Sequence, residues 1–282
     1  DPRCRIFEIG GDMLQTDILD AAMKDVQGVV HLAALWLLQC HEYPRAAFDV
    51  NIRGTFNVIE ACVKNKIERL VYSSSASVYG DAVDEPMMEN HPYNNWTFYG
   101  ATKIAGEHMM KAYHKRYGLN GVGLRYMNVY GPRQDYKGTY IAVMMKILDN
   151  LDKGLSPVVY GDGSQAYDFI YVRDTARANV CALRSDVPFG FYNVGRGIKT
   201  SIKELTELIL KIAGSKLPIE YAPAGQTFVT NRVGDPKAAE ADIGFTWEVD
   251  LEDGLKRLID WRKSHLKQTE KLRAQQAPGV QP

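Results

Sequence analysis

Strand-like apolar runs alternate with helix-like segments over the first half of the chain. The run GVVHLAAL (28–35) reads as a buried strand entering a loop, and the apolar residues of 46–66 have helical spacing. A strand with a polar loop at 67–80, a helix around Tyr99 and a further strand within 121–134 continue the pattern. Alternation in units of this size predicts a parallel sheet with right-handed crossovers and helices on both faces. We therefore expect an α/β fold.

After residue 130 the rhythm loosens into turn-rich stretches such as GPRQDYKG and GDGSQ. Segment 200–214 is a well-marked helix, because Ser201 and Glu204 form a capping box and Gly214 supplies a stop. Its apolar stripe, typical of core packing, consists of Ile202, Leu205, Leu208, Ile209 and Ile212. A closing helix begins at the LEDG stretch, and we expect the tail 266–282 to be disordered.

Composition and charge argue against several classes of protein. The chain has 282 residues, 45% hydrophobic and 24% charged, which suits one large or two modest soluble domains. Its formal net charge of zero gives no footprint for nucleic acid, and no apolar run approaches the roughly 20 residues of a membrane helix. The six histidines form no cluster, so we expect no metal site. The scattered cysteines, which predict reduced thiols in a cytoplasmic protein, are Cys4, Cys40, Cys62 and Cys181.

The stretch NNWTFYGATKIAGEHMMKAYHKRYG (94–118) places Tyr99 one helical turn before Lys103, on the same face of a helix. Such a pair is common on surface helices and is weak evidence alone. In an open parallel sheet, ligands bind beyond the carboxyl ends of the strands. The polar stretches HLAA, SSSASVYG and RYMNVYG each follow a strand-like run, so we expect these loops to meet at one crevice.

Taken together and in order, these motifs resemble the extended short-chain dehydrogenase/reductase superfamily. The chain is most similar to nucleotide-sugar epimerases of the UDP-glucose 4-epimerase type, over nearly all of residues 5–263. The motifs that carry the resemblance are GGDM, HLAA, VNIRGTFNVIEA, VYSSSASVYG, YGATK, LRYMNVYGPR, GDGSQAYDFIYVRD and YNVGRG. The resemblance implies a Rossmann-like doubly wound parallel sheet that binds NAD, followed by a smaller C-terminal α/β domain that binds a nucleotide sugar.

The resemblance also implies a division of the chain. Residues 1–130 would form the NAD-binding domain, with 168–196 crossing back to it, and 131–167 with 197–265 would form the nucleotide-sugar-binding domain. The family's glycine-rich cofactor loop, which belongs to a first strand–helix–strand unit, is not found within the chain. We expect that this unit precedes Asp1. The alternative is a truncated, inactive protein.

The family's catalytic roles map onto four residues. Tyr99 would act as general base or acid on the sugar hydroxyl, with Ser75 sharing that hydroxyl. Lys103 would hold the cofactor ribose, and its ammonium would lower the pKa of the phenol, which is ordinarily near 10. Asn51 would support the lysine through water, although a helix-capping role is the alternative. Gly100 and Ala101 would leave room for the cofactor.

Further residues are implied for the two ligands. Those for the cofactor are Asp12, Met13, Ala33, Ala34, Ser73, Tyr99, Lys103 and Tyr126. Those for the substrate are Ser75, Asn128, Val158, Tyr160, Tyr167 and Arg232. Asp12 would accept the adenine amino group, Tyr126 would line the nicotinamide end, and Ser73 has shaping of the loop as its simpler role.

At the substrate end, Asn128 and Arg232 would reach the diphosphate, and the backbone at Val158 and Tyr160 would hold uracil. Tyr167 stands where the family usually has a diphosphate-binding arginine. Arg232 has a solvated surface charge as its alternative.

The residues after Ser75 bear on the reaction. Dehydratases and glucuronate decarboxylases of the superfamily carry an acid there, whereas this chain has Ala76 and Ser77. This favours epimerisation at C4 of a UDP-hexose through a transient 4-keto sugar, with NAD as a bound catalyst. A related dehydratase or reductase, or an inactive binding or scaffold relative, are the alternatives. The resemblance further implies a homodimer joined by the Asn51 and Tyr99 helices.

Overall fold

The computed structural model describes residue 4 and residues 11–135, 143–224 and 229–276. The helices are α1 Thr16–Met23, α2 Leu37–Glu42, α3 Pro44–Ala47, α4 Thr55–Lys64, α5 Phe98–Tyr117, α6 Val143–Asp152, α7 Val172–Arg184, α8 Ile202–Ala213, α9 Lys237–Ile243 and α10 Leu251–Gln276. The strands are β1 Gly28–His31, β2 Arg69–Ser75, β3 Gly121–Tyr126, β4 Asn128–Tyr130, β5 Val158–Tyr160, β6 Ala166–Tyr167, β7 Phe169–Tyr171, β8 Phe189–Val194, β9 Thr200–Ser201, β10 Glu220–Ala222 and β11 Asn231–Arg232. A π-helical segment, Phe48–Gly54, joins α3 to α4, and a 3-10 turn, Ala76–Val78, follows β2.

The main sheet is parallel and has the strand order β1-β2-β3-β8. Side chains of a strand alternate between its faces, so neighbouring residues of β2 enter different cores. Leu70 and Tyr72 pack in the cluster that includes Ile59 of α4 and Met110 of α5. Val71 packs in the cluster that includes Ala178 of α7. Helices therefore cover both faces, and the predicted α/β architecture is confirmed.

Strand β1 is less buried than predicted. Its residues are mostly half-buried, and the Val30 side chain is 37% exposed. Within the described ranges, β1 pairs with β2 on one side only, so it lies at the edge of the described part of the sheet. An apolar run alone does not distinguish an edge strand from a central one.

A separate core lies in the C-terminal half, where α6, α8 and α10 pack together. The predicted capping box of α8 is confirmed: Ser201 Oγ accepts from the Glu204 amide at 3.1 Å, and the Ser201 amide donates to Glu204 Oε2 at 2.7 Å. Gly214 ends α8 with a φ of 67°. Helix α10 continues to Gln276, so the expectation of disorder is wrong for the described part of the tail, and 277–282 lie outside the described residues.

Short strands outside the main sheet form small sheets of their own. Strand β4 pairs with β7, β5 pairs with β10, and β6 lies between β11 and β9. Arg232 and Tyr167 are direct neighbours in the β11–β6 register. The predicted substrate residues Asn128, Val158, Tyr160, Tyr167 and Arg232 all lie on these short strands.

Candidate active site

The carboxyl ends of β2 and β3 bring the predicted catalytic groups together. Ser75 ends β2 and is paired in register with Tyr126, the last residue of β3. Helix α5 begins after Thr97, whose hydroxyl accepts from the Gly100 amide at 3.0 Å. From this helix Lys103 Nζ donates to the Ser73 carbonyl at 2.8 Å. The structure thus joins the serine loop to the Tyr99 helix.

Ser75 and Tyr99 are neighbours in the site, and the Ser75 hydroxyl lowers the pKa of the Tyr99 phenol. The Ser75 hydroxyl also accepts from the Ser77 amide at 3.1 Å, which fixes its position at the start of the 3-10 turn. A hydroxyl and a phenol held together can share one substrate hydroxyl. This arrangement suits proton transfer to or from an alcohol.

The electrostatics of the pair differ from the prediction. Burial lowers the pKa of Lys103 to about 8, and the nearby Cys40 thiol partly opposes that change. Burial raises the pKa of Tyr99 to about 12, while the Ser75 hydrogen bond and the charge of Arg232 lower it. The predicted lowering of the phenol pKa by Lys103 is therefore wrong for this structure. Lys103 loses its proton at a lower pH than Tyr99, so it is neutral where the phenol titrates.

Lys103 nevertheless fits the expected cofactor role. Its side chain is only 4% exposed, and an ammonium carries three N–H donors. Among the described residues, Ser73 O is the one hydrogen-bond acceptor that it contacts. A buried ammonium with spare donors is suited to bind the hydroxyls of a ribose.

Asn51 is a structural hub. Its side chain accepts from the Leu35 amide at 2.7 Å and donates to the Leu35 carbonyl at 2.9 Å, to Cys40 Sγ at 3.3 Å and to Thr102 Oγ1 at 3.1 Å. It lies within the π-helical segment and not at a helix end, so the capping alternative is wrong. Asn51 thereby fixes the loop after β1 against α5. Its contact on α5 is Thr102, the residue that precedes Lys103.

His31 ends β1 on the same side of the sheet. Its Nε2 lies 2.9 Å from Thr55 Oγ1 on α4. Burial, helped by the charge of Lys103, lowers the pKa of His31 to about 4. At neutral pH this imidazole is therefore uncharged.

Sequence reasoning missed a buried polar network centred on Glu107 and Arg125. Glu107 lies one helical turn beyond Lys103 and is 1% exposed, and Arg125 of β3 is 3% exposed. Arg125 donates to both carboxylate oxygens, from Nε at 2.9 Å and from NH2 at 2.8 Å. Ser74 and Tyr93 also donate to Glu107, at 2.5 and 2.9 Å. The network fixes α5, β2 and β3 relative to one another.

Two signals in the sequence could have identified this network. Arg125 is a charge inside the otherwise apolar strand GVGLRY, and Glu107 continues the four-residue spacing of Tyr99 and Lys103. A charge at a buried position is seldom found without a partner.

The predicted nicotinamide end is also ordered by hydrogen bonds. The Tyr126 hydroxyl lies 3.1 Å from Ser73 Oγ and donates to Asn179 Oδ1 at 2.8 Å. Ser73 is therefore in the loop-shaping position as well as beside the predicted cofactor residue Tyr126.

The predicted adenine end lies at the other side of β1. Asp12 Oδ1 accepts from the Leu14 amide at 2.9 Å in the turn before α1, and the Met13 carbonyl accepts from Asn57 Nδ2 at 3.1 Å. Ala33 and Ala34 lie in the loop after β1, exposed and half-buried respectively.

Gly100 does not leave the predicted space for a cofactor. A Cβ at Gly100 would lie 2.2 Å from Asn95 Oδ1 and 2.6 Å from the Ser77 carbonyl, so protein atoms fill this position. At Gly106 a Cβ would lie 2.2 Å from the Tyr72 hydroxyl. Both glycines allow α5 to approach β2 and its loop closely.

The predicted substrate residues use part of their polar groups within the protein. Asn128 donates from both its amide and Nδ2 to the Asp168 carbonyl, at 2.9 and 3.3 Å. The Tyr167 hydroxyl donates to the Val229 carbonyl at 2.7 Å. The Tyr160 carbonyl accepts from Gln165 Nε2 at 3.3 Å, whereas the Tyr160 side chain is 58% exposed.

Arg232 is different, because its Nε is buried and has no hydrogen-bond partner. Burial lowers the pKa of its guanidinium to about 10, and Tyr167, Asp81 and Tyr99 raise it. The alternative of a solvated surface charge is therefore wrong. Arg232 is a charged group with capacity to bind an anion.

Comparison with known proteins places this geometry among enzymes. Residues 5–195 match the model of the NAD dependent epimerase/dehydratase family. The chain is 38% identical over 246 residues to the Methanocaldococcus jannaschii protein named "Putative UDP-glucose 4-epimerase", covering 86% of this chain and 79% of that protein.

Two solved structures show the same fold. UDP-N-acetylglucosamine 4-epimerase from Methanobrevibacter ruminantium M1, in complex with UDP-N-acetylmuramic acid, superposes with a TM-score of 0.86 at 34% identity, covering 90% of this chain and 82% of that one. UDP-glucose 4-epimerase from Thermotoga maritima with UDP-glucose gives 0.88 at 26% identity, with coverages of 94% and 86%. The relationship predicted from the motif order is confirmed: the chain belongs to the NAD dependent epimerase/dehydratase family.

Proposed function

We propose that this protein is an NAD-dependent nucleotide-sugar epimerase that inverts C4 of a UDP-hexose through a transient 4-keto sugar. The observation that carries the proposal is the position of Tyr99 beside Ser75 and the buried Lys103, whose Nζ lies 5.6 Å from the centroid of the Tyr99 ring and donates to the Ser73 carbonyl. Two of the relatives above, named as UDP-sugar 4-epimerases and solved with UDP-sugars, support the choice of substrate and reaction.

In this mechanism the sugar O4 hydroxyl lies between Ser75 and Tyr99. Tyr99 receives the O4 proton during oxidation and returns it during reduction, and Ser75 holds the same oxygen. NAD, when bound, supplies the acceptor for the C4 hydride and gives the hydride back. With its pKa near 12, Tyr99 is protonated at neutral pH, and the charge of Arg232, which lowers that pKa, favours the phenolate that accepts the proton.

The site contains no acid directly after Ser75 that could remove a second proton from the ketone. Ala76 and Ser77 occupy that position and are fully buried and 7% exposed respectively. The ketone therefore has one course, which is to accept hydride on either face. This favours epimerisation over dehydration.

The ligand-binding roles are part of the proposal. Lys103 would bind the ribose next to the nicotinamide, with Tyr126 and Ser73 at its side and Ala33 and Ala34 along the cofactor. Asp12 and the amide of Met13 would bind adenine. Asn128 would approach the phosphates, and the backbone of Val158 and Tyr160 would bind uracil on the side of β5 away from β10.

Substitution Tyr99→Phe tests the mechanism. It removes only the proton-transferring oxygen, so we expect turnover to fall by about 100- to 10,000-fold, the usual worth of general acid–base catalysis. The assay follows interconversion of UDP-glucose and UDP-galactose by NMR, with Tyr43→Phe as a control, because Tyr43 is 61% exposed. Retention of more than a tenth of wild-type turnover by Tyr99→Phe would contradict the assignment.

The same NMR experiment separates the competing reactions. An epimerase gives an isomer with no net change in NADH, a dehydratase gives a 4-keto-6-deoxy sugar, and a reductase consumes NAD(P)H. Absence of all three products would favour a binding protein.

We also propose a homodimer that buries aromatic side chains of the Asn51 and Tyr99 helices. Phe48, Phe56 and Tyr117 are 51%, 40% and 52% exposed, and Phe56 contacts Tyr113 edge-to-face at 6.2 Å. Exposed apolar patches of this kind mark interfaces. Phe56→Glu should convert a dimer to a monomer in light scattering, whereas Val180→Glu, at a 44% exposed position on α7, should not.

The proposed location is the cytoplasm. All four cysteines are unpaired, which suits a reducing compartment. Within the described ranges, none of the helices combines the length and apolar character needed to cross a bilayer. The proposed division into a cofactor part and a substrate part is supported by the separate C-terminal core, because β8 returns to the main sheet before that core is completed.

A further inference from the structure

The segment that carries Arg232 is bound along both of its edges. On one edge, the carbonyls of Thr230 and Arg232 accept from amides in and directly after β6, each at 2.9 Å. The other edge faces residues 80–95, which connect the 3-10 turn to α5 and which we call the strap. Met87 of the strap donates its amide to the Val233 carbonyl at 2.8 Å. The backbone on either side of the Arg232 side chain is therefore fixed.

Asp81 connects the start of the strap to the start of β11. Its Oδ1 accepts from the Thr230 amide at 2.6 Å, from the Thr230 hydroxyl at 3.0 Å and from the Asn231 amide at 3.3 Å. Hydrogen bonds to an ionised acceptor are stronger than those between neutral groups. The two residues that Asp81 holds directly precede Arg232, so a single carboxylate oxygen fixes the backbone at the base of this arginine.

The Arg232 side chain, unlike its backbone, has unused capacity for hydrogen bonds. Its Nε is buried and has no partner among the described residues. A buried donor without an acceptor costs free energy, and the planar fork of a guanidinium matches a phosphate. The anionic part of a UDP-hexose is its diphosphate. The proposed substrate therefore supplies the group that this guanidinium lacks.

We propose that Asp81 is a positioning residue, which holds Thr230 and Asn231 so that Arg232 is set to bind the diphosphate of the nucleotide sugar. The inference rests on the proposed function, which supplies a substrate with a diphosphate. Asp81 acts through the backbone of β11 and not by contact with the ligand. Ordering a mobile segment on binding reduces affinity, and the strap orders this one before the ligand arrives.

The same contact joins two parts of the site. Asp81 follows the 3-10 turn Ala76–Val78 by only three residues, and Ser75 precedes that turn directly. Thr230 is 149 residues away from Asp81 in the sequence. The strand that presents Arg232 and the turn that positions Ser75 are therefore tied to each other at Asp81.

A double-mutant cycle on UDP binding tests the proposal. Calorimetry at fixed salt compares NAD-bound wild type, Asp81→Ala, Arg232→Gln and the double variant. We expect Arg232→Gln to weaken UDP binding about 10- to 100-fold, the worth of hydrogen bonds to a charged group. Asp81→Ala should weaken it about tenfold, within the range of coupling between neighbouring residues. In the Arg232→Gln background, Asp81→Ala should cause no further loss, because no arginine is left to position.

Matched variants separate this role from a loss of charge or of folding. Asp84→Ala removes an exposed carboxylate from the same strap and should leave UDP affinity unchanged. Asp81→Asn keeps an acceptor oxygen at this position and should retain most of the wild-type affinity. Thr230→Val removes one of the three donors and should weaken UDP binding only where Arg232 is present. It takes the place of Asp81→Ala in the cycle if thermal melting shows that the alanine variant does not fold.

Three outcomes would overturn the proposal. Unchanged UDP affinity in Arg232→Gln would show that the arginine does not bind the diphosphate. Unchanged affinity in both Asp81→Ala and Thr230→Val would show that the contact does not position it. An equal loss from Asp81→Ala with and without Arg232 would give Asp81 a general structural role. Failure of the proposed function is seen separately, as absence of a C4 isomer from the wild-type protein in the NMR assay, whatever the UDP affinities are.

Discussion

Substitution Glu107→Leu should destabilise the fold strongly while preserving the volume of the side chain. It leaves the Arg125 guanidinium, which is 3% exposed, without its counter-charge and removes the acceptor of Ser74 and Tyr93. Removing one partner of a buried ion pair typically lowers the free energy of unfolding by about 3–5 kcal/mol. Arg125 NH1 keeps its bonds to Tyr79 OH and to the Glu89 carbonyl, both at 2.8 Å, so we expect the lower end, about 3 kcal/mol.

Urea unfolding, followed by circular dichroism and by tryptophan fluorescence, measures this loss if the two probes coincide. The matched control is Glu252→Leu, because Glu252 pairs with Lys211 and Lys256 at the surface, where solvent screens such pairs and they contribute little to stability. The double variant Glu107→Leu/Arg125→Leu should recover much of the loss, because it removes both charges.

Two results would refute this reasoning. The first is a loss below about 1 kcal/mol for Glu107→Leu, indistinguishable from a surface ion pair. The second is a double variant whose loss equals the sum of the two single losses, since independent sites add and coupled ones do not. Either result would mean that the network does not act as a unit.

Three further predictions concern the neighbouring elements. His31 has a pKa of about 4 in the folded protein against an ordinary 6.5, so the unfolded chain binds the proton first as the pH falls. The free energy of unfolding should therefore fall by about 3 kcal/mol between pH 6.5 and pH 4. Thermal melts across this range should show that His31→Asn removes the dependence. Lys103→Met should weaken NAD binding at least about tenfold by fluorescence titration, since it removes hydrogen bonds from a charged donor, whereas the exposed Lys111→Met should not. Thr97→Ala removes the N-cap of α5 and should cost about 1 kcal/mol in urea, with unchanged stability contradicting the capping role.

Features set by local sequence were the ones that could be predicted. Ser201, Glu204 and Gly214 are close together in the chain, and each acts within its own helix, so the capping box and the stop followed from residue types. The loop that holds Ser75 was assigned to a crevice by a rule of topology, that loops at the carboxyl ends of parallel strands meet, and its pairing with Tyr99 came from the family resemblance. These inferences need no knowledge of side-chain packing.

The remaining features depend on packing between distant segments. Glu107 and Arg125 are 18 residues apart in the sequence, and they meet because α5 packs against β3. The pKa of Tyr99 is governed by burial, which the spacing of Tyr99 and Lys103 does not reveal. The space beside Gly100 was assigned to the cofactor. The local sequence does not show that Asn95 and Ser77 fill that volume.

The close approach of α5 at Gly106 has a consequence for how relatives of this protein can vary. The Tyr72 hydroxyl occupies the volume that a methyl group at position 106 would need, so glycine and tyrosine form a complementary pair of sizes. A lineage that acquires alanine at 106 must shorten the residue at 72, or else lift the helix that carries Tyr99 away from Ser75. Positions 72 and 106 should therefore change together among active members of the family, with a side chain smaller than Phe at 72 wherever 106 is not glycine, because the Tyr72 Cζ would itself lie 2.5 Å from a Cβ at 106.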